Sequence, residues 1–285
     1  MKDAILVTGA TGNVGREIVR LLEQKALPVR AAVSDPERAT AMFGEGVACT
    51  QFRFGEADTY AQAFHDVRAV FLMRPPQIVN VKKNIYPAID AAQKAGVKHM
   101  VFLSLQGVEK NPLVPHHKIE KYLMRSGIRY TFLRPSFFMQ NLSTTHRDEI
   151  RNDNCIFVPA GAGKTSFVDV RDIAEVAVKV LTETGHENSA YELTGNEALS
   201  YDEVAGIFSQ VLERPIRYAR PSAFHFWQEM RSKGHPAAFV VVMLALYTVA
   251  RLGWAAKTTD DVTTLLARPP ISMRQFIEDH AHIWI

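Results

Sequence analysis

Only two cysteines, Cys49 and Cys155, occur in 285 residues. That is too few for a disulfide framework or a four-ligand zinc site, so a reducing compartment, the cytoplasm, is expected. An excess of one charge is also missing. The chain has 33 Lys and Arg against 30 Asp and Glu, a net charge of +3, and no basic run. A nucleic-acid binder shows a clustered basic stripe, so no direct nucleic-acid partner is expected. His225, His235, His280 and His282 have neither metal-ligand spacing nor partner cysteines, and no metal is expected. Long hydrophobic runs are scarce. The apolar run before Thr8-Gly9 is too short for a signal-peptide core. Pro236 to Ala256 is apolar for about the length of a spanning helix, but Arg251 interrupts it. No membrane partner is expected. A helix buried in a substrate region or a dimer interface fits better, which leaves a second copy of the chain as a candidate partner. With 47% hydrophobic and 22% charged residues, the chain has ordinary globular composition and is not disordered.

The first half alternates strand and helix. Apolar runs at Ala4–Val7, Val29–Val33, Ala48–Phe52, Ala69–Met73, His99–Leu103 and Tyr130–Leu133 read as strands. Between them, helical patterns run through Ile18–Leu22, Pro36–Phe43, Val79–Ala95 and His116–Arg125. Strands separated by helices predict a parallel, doubly wound sheet, and nearly continuous apolar runs fit strands covered on both faces. In the second half, short strands (Cys155–Val158, Phe167–Val168, Tyr191–Leu193) mix with helices, and beyond Ser200 the chain is mostly helical. The expected organisation is a dinucleotide-binding α/β domain of Rossmann type over 1–155, with 165–198 returning to it. A smaller, helix-rich cap over 199–285 completes one compact unit around a cleft.

The strongest chemical signal is Val7-Thr8-Gly9-Ala10-Thr11-Gly12-Asn13-Val14-Gly15, between the first strand and the first helix. Gly9 suits a sharp turn, Gly12 lets backbone approach a pyrophosphate, and Gly15 lets helix and strand pack closely. Phosphates would rest on the helix N-terminus, where free N–H groups and the dipole favour negative charge. Gly9, Thr11, Gly12, Asn13 and Val14 are therefore the candidate phosphate-binding residues. Ligands of open α/β sheets lie outside the carboxyl ends of the strands. That places Met73-Arg74, at the end of the fourth strand, beside the adenine or the nicotinamide ribose. Ser104, at the end of the fifth, belongs in the same cleft. Ala160-Gly161-Ala162-Gly163-Lys164-Thr165 imitates a phosphate loop, but its first glycine is replaced by Val158, and a strand-linking turn is expected.

The glycine spacing resembles short-chain dehydrogenase/reductases. Val29-Arg30-Ala31-Ala32-Val33, Ala95-Gly96-Val97-Lys98-His99, Phe102-Leu103-Ser104 and Gly127-Ile128-Arg129-Tyr130-Thr131-Phe132-Leu133-Arg134-Pro135 narrow it to the NmrA-like atypical group. Val168-Asp169-Val170-Arg171-Asp172-Ile173-Ala174 is also similar to that group. The resemblance covers roughly residues 3 to 215 and implies an NAD(P)H-binding oxidoreductase. It would transfer hydride to a small conjugated molecule, a quinone or a dye. The alternative it implies is a non-catalytic NAD(P) sensor that binds a partner protein. The superfamily's Tyr-x-x-x-Lys pair falls here on Pro112 and His116, so neither residue type is present. His116 and Ser104 are the catalytic candidates, with His116 as a proton donor near neutral pH, and Lys118 could reach a ribose or phosphate. Ser34 stands where the group often has arginine, and the resemblance leans towards NADPH. Asp35 is either a ribose acid or the cap of the helix that begins at Pro36. The resemblance places Phe138 and Asn141 over the nicotinamide.

Overall fold

The computed structural model describes residues 3–285. Its strands are β1 (Ala4–Thr8), β2 (Val29–Val33), β3 (Ala48–Gln51), β4 (Val67–Met73), β5 (His99–Leu103), β6 (Arg129–Pro135), β7 (Cys155–Ile156), β8 (Lys164–Thr165), β9 (Ser189–Leu193), β10 (Leu199–Ser200) and β11 (Arg217–Tyr218). The helices of the first half are α1 (Asn13–Gln24), α2 (Pro36–Phe43), α3 (Tyr60–Phe64), α4 (Val81–Asn84), α5 (Tyr86–Lys94) and α6 (Pro115–Leu123). They continue with α7 (Gln140–Ser143), α8 (Arg147–Asp153), α9 (Val170–Thr182), α10 (Tyr201–Val211), α11 (Ala223–Ser232), α12 (Ala237–Arg251), α13 (Asp261–Leu266) and α14 (Met273–His280).

Seven strands form one sheet in the order β3-β2-β1-β4-β5-β6-β9, and every pairing in it is parallel. This is the doubly wound α/β sheet that the alternating pattern predicts. β1 and β5 are buried at every residue, as strands covered on both faces must be. Ile18, Val19 and Leu22 of α1 and the long apolar stripe of α9 cover one face. On the other, Ile85, Ile89 and Ala92 join Ile119 and Leu123 of α6 over Phe102 and Phe132.

The chain divides into two compact units, 1–135 with 170–193, and 136–169 with 194–285. The second has its own core, in which Phe208, Phe226, Phe276 and Trp284 are fully buried. No described helix is long and apolar enough to cross a membrane. α12 buries only the stripe Val240, Met243, Tyr247 and Ala250.

Two expectations are corrected. The single helix over Val79–Ala95 is two helices, α4 and α5, divided at Ile85. Pro87, in the first turn of α5, has no N–H to continue the ladder, and its ring excludes the preceding turn's carbonyl. Phe167–Val168 is not a strand. Val168 makes one parallel bridge to Phe138, and α9 begins two residues later, before a ladder can extend.

Candidate functional site

The glycine turn is built by close approach. Thr8 Oγ1 donates to the Phe71 carbonyl (3.0 Å) and accepts from the Met73 N–H (2.8 Å), pinning the carboxyl ends of β1 and β4 together. Gly9 has φ +62°, and Met73 Cε lies 2.1 Å from where its Cβ would be. A Cβ on Gly15 would stand 2.2 Å from the Gly9 carbonyl oxygen, which only glycine avoids. Gly12 opens α1 with no side-chain cap, and the first turn carries no acid. The first-turn N–H groups, those of Asn13 and Val14 among them, are therefore open to an anion. Thr11 is exposed beside them.

At the end of β2, Ser34 is exposed. Asp35 is the cap of α2, accepting from the Arg38 N–H at 3.1 Å. The cation at this edge comes from elsewhere. Arg53 Nη2 donates to the Ser34 carbonyl at 3.2 Å, while its Nη1 stands 3.6 Å from Glu56. Sequence reasoning missed Arg53. The signal was present in the strand order: β3 pairs with β2 up to Val33↔Gln51, so the residues after both strands emerge side by side.

β4 and β5 are in register to Met73↔Leu103, so Arg74 and Ser104 leave the sheet as neighbours. The Ser104 N–H donates to the Leu133 carbonyl at 2.7 Å. Its Oγ is enclosed and has no partner, on a residue 4% exposed. Arg74 Nη1 donates to the carbonyls of Pro75 (3.0 Å), Pro76 (3.1 Å) and Ile78 (2.7 Å), while its Nε–H is enclosed without an acceptor. The His116 ring stacks on Phe102, centroids 5.8 Å apart. Burial, and then the charge of Arg74, push its pKa down to about 3. This corrects the reading of His116 as a group titrating near neutral pH: its imidazole stays uncharged through that range. His117 Nδ1 donates to the Val108 carbonyl at 2.9 Å and ties α6 to the preceding turn. Lys118 is exposed; its carbonyl accepts from Tyr86 Oη. α6 is anchored to β6 by a two-point ion pair, Arg134 Nε to Glu120 Oε1 at 3.0 Å and Nη2 to Oε2 at 2.7 Å.

The glycine turn, Ser34, Met73, Arg74, Ser104, His116 and Lys118 all belong to the first unit, and Phe138 and Asn141 to the second. There Phe137 packs against the apolar core and Phe138 does not. Tyr247 is buried in that core and hydrogen-bonded to His146. The apparent phosphate loop is a turn closed by Gly163 N–H on the Ala160 carbonyl, and Lys164 pairs with Glu203 at 3.0 Å. Among the described residues no three His, Cys, Asp or Glu side chains gather as a metal site.

The family model described as the NmrA-like family matches residues 1–257. The chain is 36% identical to an NAD(P)H azoreductase from Xenophilus azovorans, over 97% of this chain and 98% of that one. Two solved structures are similar over nearly the whole length. One is the Citrobacter triphenylmethane reductase complexed with NADP(H), with TM-score 0.86 and 28% identity, covering 98% of this chain and 99% of that one. The other is the NADPH-dependent quinone oxidoreductase of Escherichia coli complexed with NADPH, with TM-score 0.87 and 25% identity at the same coverage. The glycine turn, the parallel sheet and this match over most of the length agree: the chain belongs to the NmrA-like family.

Proposed function

We propose that the chain is an NAD(P)H-dependent oxidoreductase that passes a hydride to a quinone- or dye-like conjugated acceptor. The observation that carries this reading is the combination at one sheet edge of a backbone cradle and an orphaned hydroxyl. Side chains at Gly9 and Gly15 would collide with Met73 and with the turn's own backbone, so only glycine keeps the cradle's shape, and Ser104 Oγ is enclosed with nothing to bond. A buried hydroxyl without a partner is costly unless a ligand supplies one. The relatives with these names support the same class of reaction.

The dinucleotide, when bound, supplies the hydride. The N–H groups of Asn13 and Val14 receive its phosphates, with Gly9, Thr11 and Gly12 shaping the turn, where the Gly12 N–H donates to the Gly9 carbonyl. Ser34 and Arg53 face the adenosine ribose, and the Arg53 guanidinium favours the extra phosphate of NADPH. Met73, Arg74, Ser104 and Lys118 line the path towards the nicotinamide. Positions 112 and 116 hold Pro and His in place of the Tyr and Lys of the wider superfamily. A conjugated acceptor tolerates that loss. Its two-electron reduced form is a delocalised anion, and the remaining proton comes from water.

A second copy of the chain is the partner we infer. The outward residues of α12, Val241, Val242 and Leu246, are apolar and exposed, and a two-fold pairing there would oppose no like charges. The purified protein would be offered quinones, azo dyes and triphenylmethane dyes with each reduced nicotinamide, following loss of the nicotinamide absorbance. Turnover is expected. Tight dinucleotide binding with no acceptor reduced would instead favour a sensor that regulates a partner protein.

A further inference from the structure

The carboxyl edge of β4 and β5 holds a cation without a counter-ion. From Val67 to Val108 the only acidic residue is Asp90, and its carboxylate accepts from Tyr122 Oη at 2.6 Å. Arg74 lies within this stretch, directly after β4. Arg134, partly buried in the same unit, pairs with both Glu120 and Glu109. Arg74 has backbone carbonyls on Nη1 only, and among the described residues no carboxylate pairs with it. Its enclosed Nε–H and the enclosed Ser104 hydroxyl, one residue beyond a registered pair of strands, are two unsatisfied donors. His116, beside them, carries no balancing negative charge. A desolvated cation next to unsatisfied donors is complementary to an anion and repels a second cation.

We propose that Arg74 selects the acceptor by charge: the protein favours conjugated acceptors bearing an anionic group, such as sulfonated or carboxylated quinones and azo dyes, over cationic triphenylmethane dyes. The proposal rests on the reductase reading and adds the substrate's charge to it. Arg74 is here a specificity-determining residue, with its Nε–H and the Ser104 hydroxyl as donors to the acceptor's anionic group.

The test compares a naphthoquinone, its sulfonated derivative and a cationic triphenylmethane dye on the wild type, Arg74→Gln and Arg74→Lys. The readout is the ratio of kcat/KM between acceptors, because general damage to the site scales all three together. The wild type is expected to favour the sulfonated acceptor over the cationic dye by about tenfold or more. Arg74→Gln should bring that ratio close to one, and Arg74→Lys should restore most of it. An unchanged ratio in Arg74→Gln overturns the proposal. So does an unchanged ratio with weakened NADPH binding, since Arg74 would then serve a phosphate of the dinucleotide. Binding of naphthalene-sulfonate and of a naphthyl trimethylammonium ion to the wild type, with dinucleotide present, needs neither turnover nor a folded variant. Preference for the sulfonate without any acceptor being reduced sinks the reductase reading and keeps the charge selection. Reduction of all acceptors with no charge preference does the reverse.

Discussion

Gly12 has room for a side chain where Gly15 has none. A Cβ at 12 would approach the Gly9 oxygen to 3.3 Å, a contact that a shift of a few tenths of an ångström relieves. Gly12→Asp is therefore expected to fold and to set a carboxylate against the pyrophosphate. Dinucleotide affinity should fall by about tenfold or more, read by nicotinamide fluorescence. An unchanged titration would remove the dinucleotide-binding reading. Arg53 gives the second residue-scale prediction. Arg53→Ala should weaken NADPH by about tenfold, the size of one charge-assisted hydrogen bond, and leave NADH nearly unchanged. Equal losses for both would show that Arg53 does not meet the extra phosphate. The third concerns His116. Since its pKa lies near 3, turnover should not fall as pH rises through about 6 to 7, where an ordinary histidine loses its proton. A fall centred there would reveal an imidazolium donor. The glycine turn was legible in the sequence because its residues are contiguous and each answers to a local backbone demand. Arg53 was not, because it reaches Ser34 only through the pairing of β3 with β2. The low pKa of His116 was not legible either, because it depends on burial against Phe102 and on a charge from a neighbouring strand.

At the scale of elements, the period of apolar residues locates the strands and helices of the first half, and local chemistry explains the departures. Pro87 is visible in the sequence, but the apolar period runs on across it, so α4 and α5 look like one helix. Position 35 shows the opposite case. Asp followed by Pro at the first helical position is a cap signature, and the carboxylate does cap α2. α6 holds His116 and Lys118, and besides its core contacts and the His117–Val108 hydrogen bond it is held by an ion pair that only the fold brings together. Glu120 is 4% exposed and meets Arg134 at two points. Removing one partner strands the other charge, so Glu120→Ala should destabilise by about 3 kcal/mol, the lower end of the usual range because Glu109 still faces Arg134 at 3.4 Å. Glu120→Leu with Arg134→Met should recover much of that loss, because the charge then leaves with its partner. Urea midpoints of the single and double variants check this. A double variant as unstable as the single would show that the pair acts through specific geometry and not through burial of charge.

For the whole molecule, acid is the expected weak point, and buried histidines set its direction. His99 is 8% exposed at the start of β5. Its Nε2 lies 2.8 Å from Thr131 Oγ1, and that hydroxyl donates to the His186 carbonyl at 2.6 Å. The Thr131 oxygen therefore accepts, and Nε2 carries the proton of the neutral ring. Burial pushes the His99 pKa down to about 4 from 6.5, with the opposing charge of Glu187 a smaller influence; burial lowers His116 in the same direction. A histidine depressed in the folded state binds fewer protons there than in the unfolded chain between the two pKa values. Its stabilisation is complete above about pH 6.5 and is lost as pH falls towards 4. A tenfold difference in proton affinity between the folded and unfolded chain is worth about 1.4 kcal/mol, so His99 alone accounts for about 3 kcal/mol over that window. Thermal melting should move steadily downward between pH 7 and about 4.5. His99→Gln should start lower, because the hydrogen bond to Thr131 is weakened, and should change less with pH. A wild-type melting point that is flat or rising on acidification would mean that His99 is accessible to protons in the folded state. The closed packing of β5 against β6 would then be wrong at its first registered pair, His99↔Arg129.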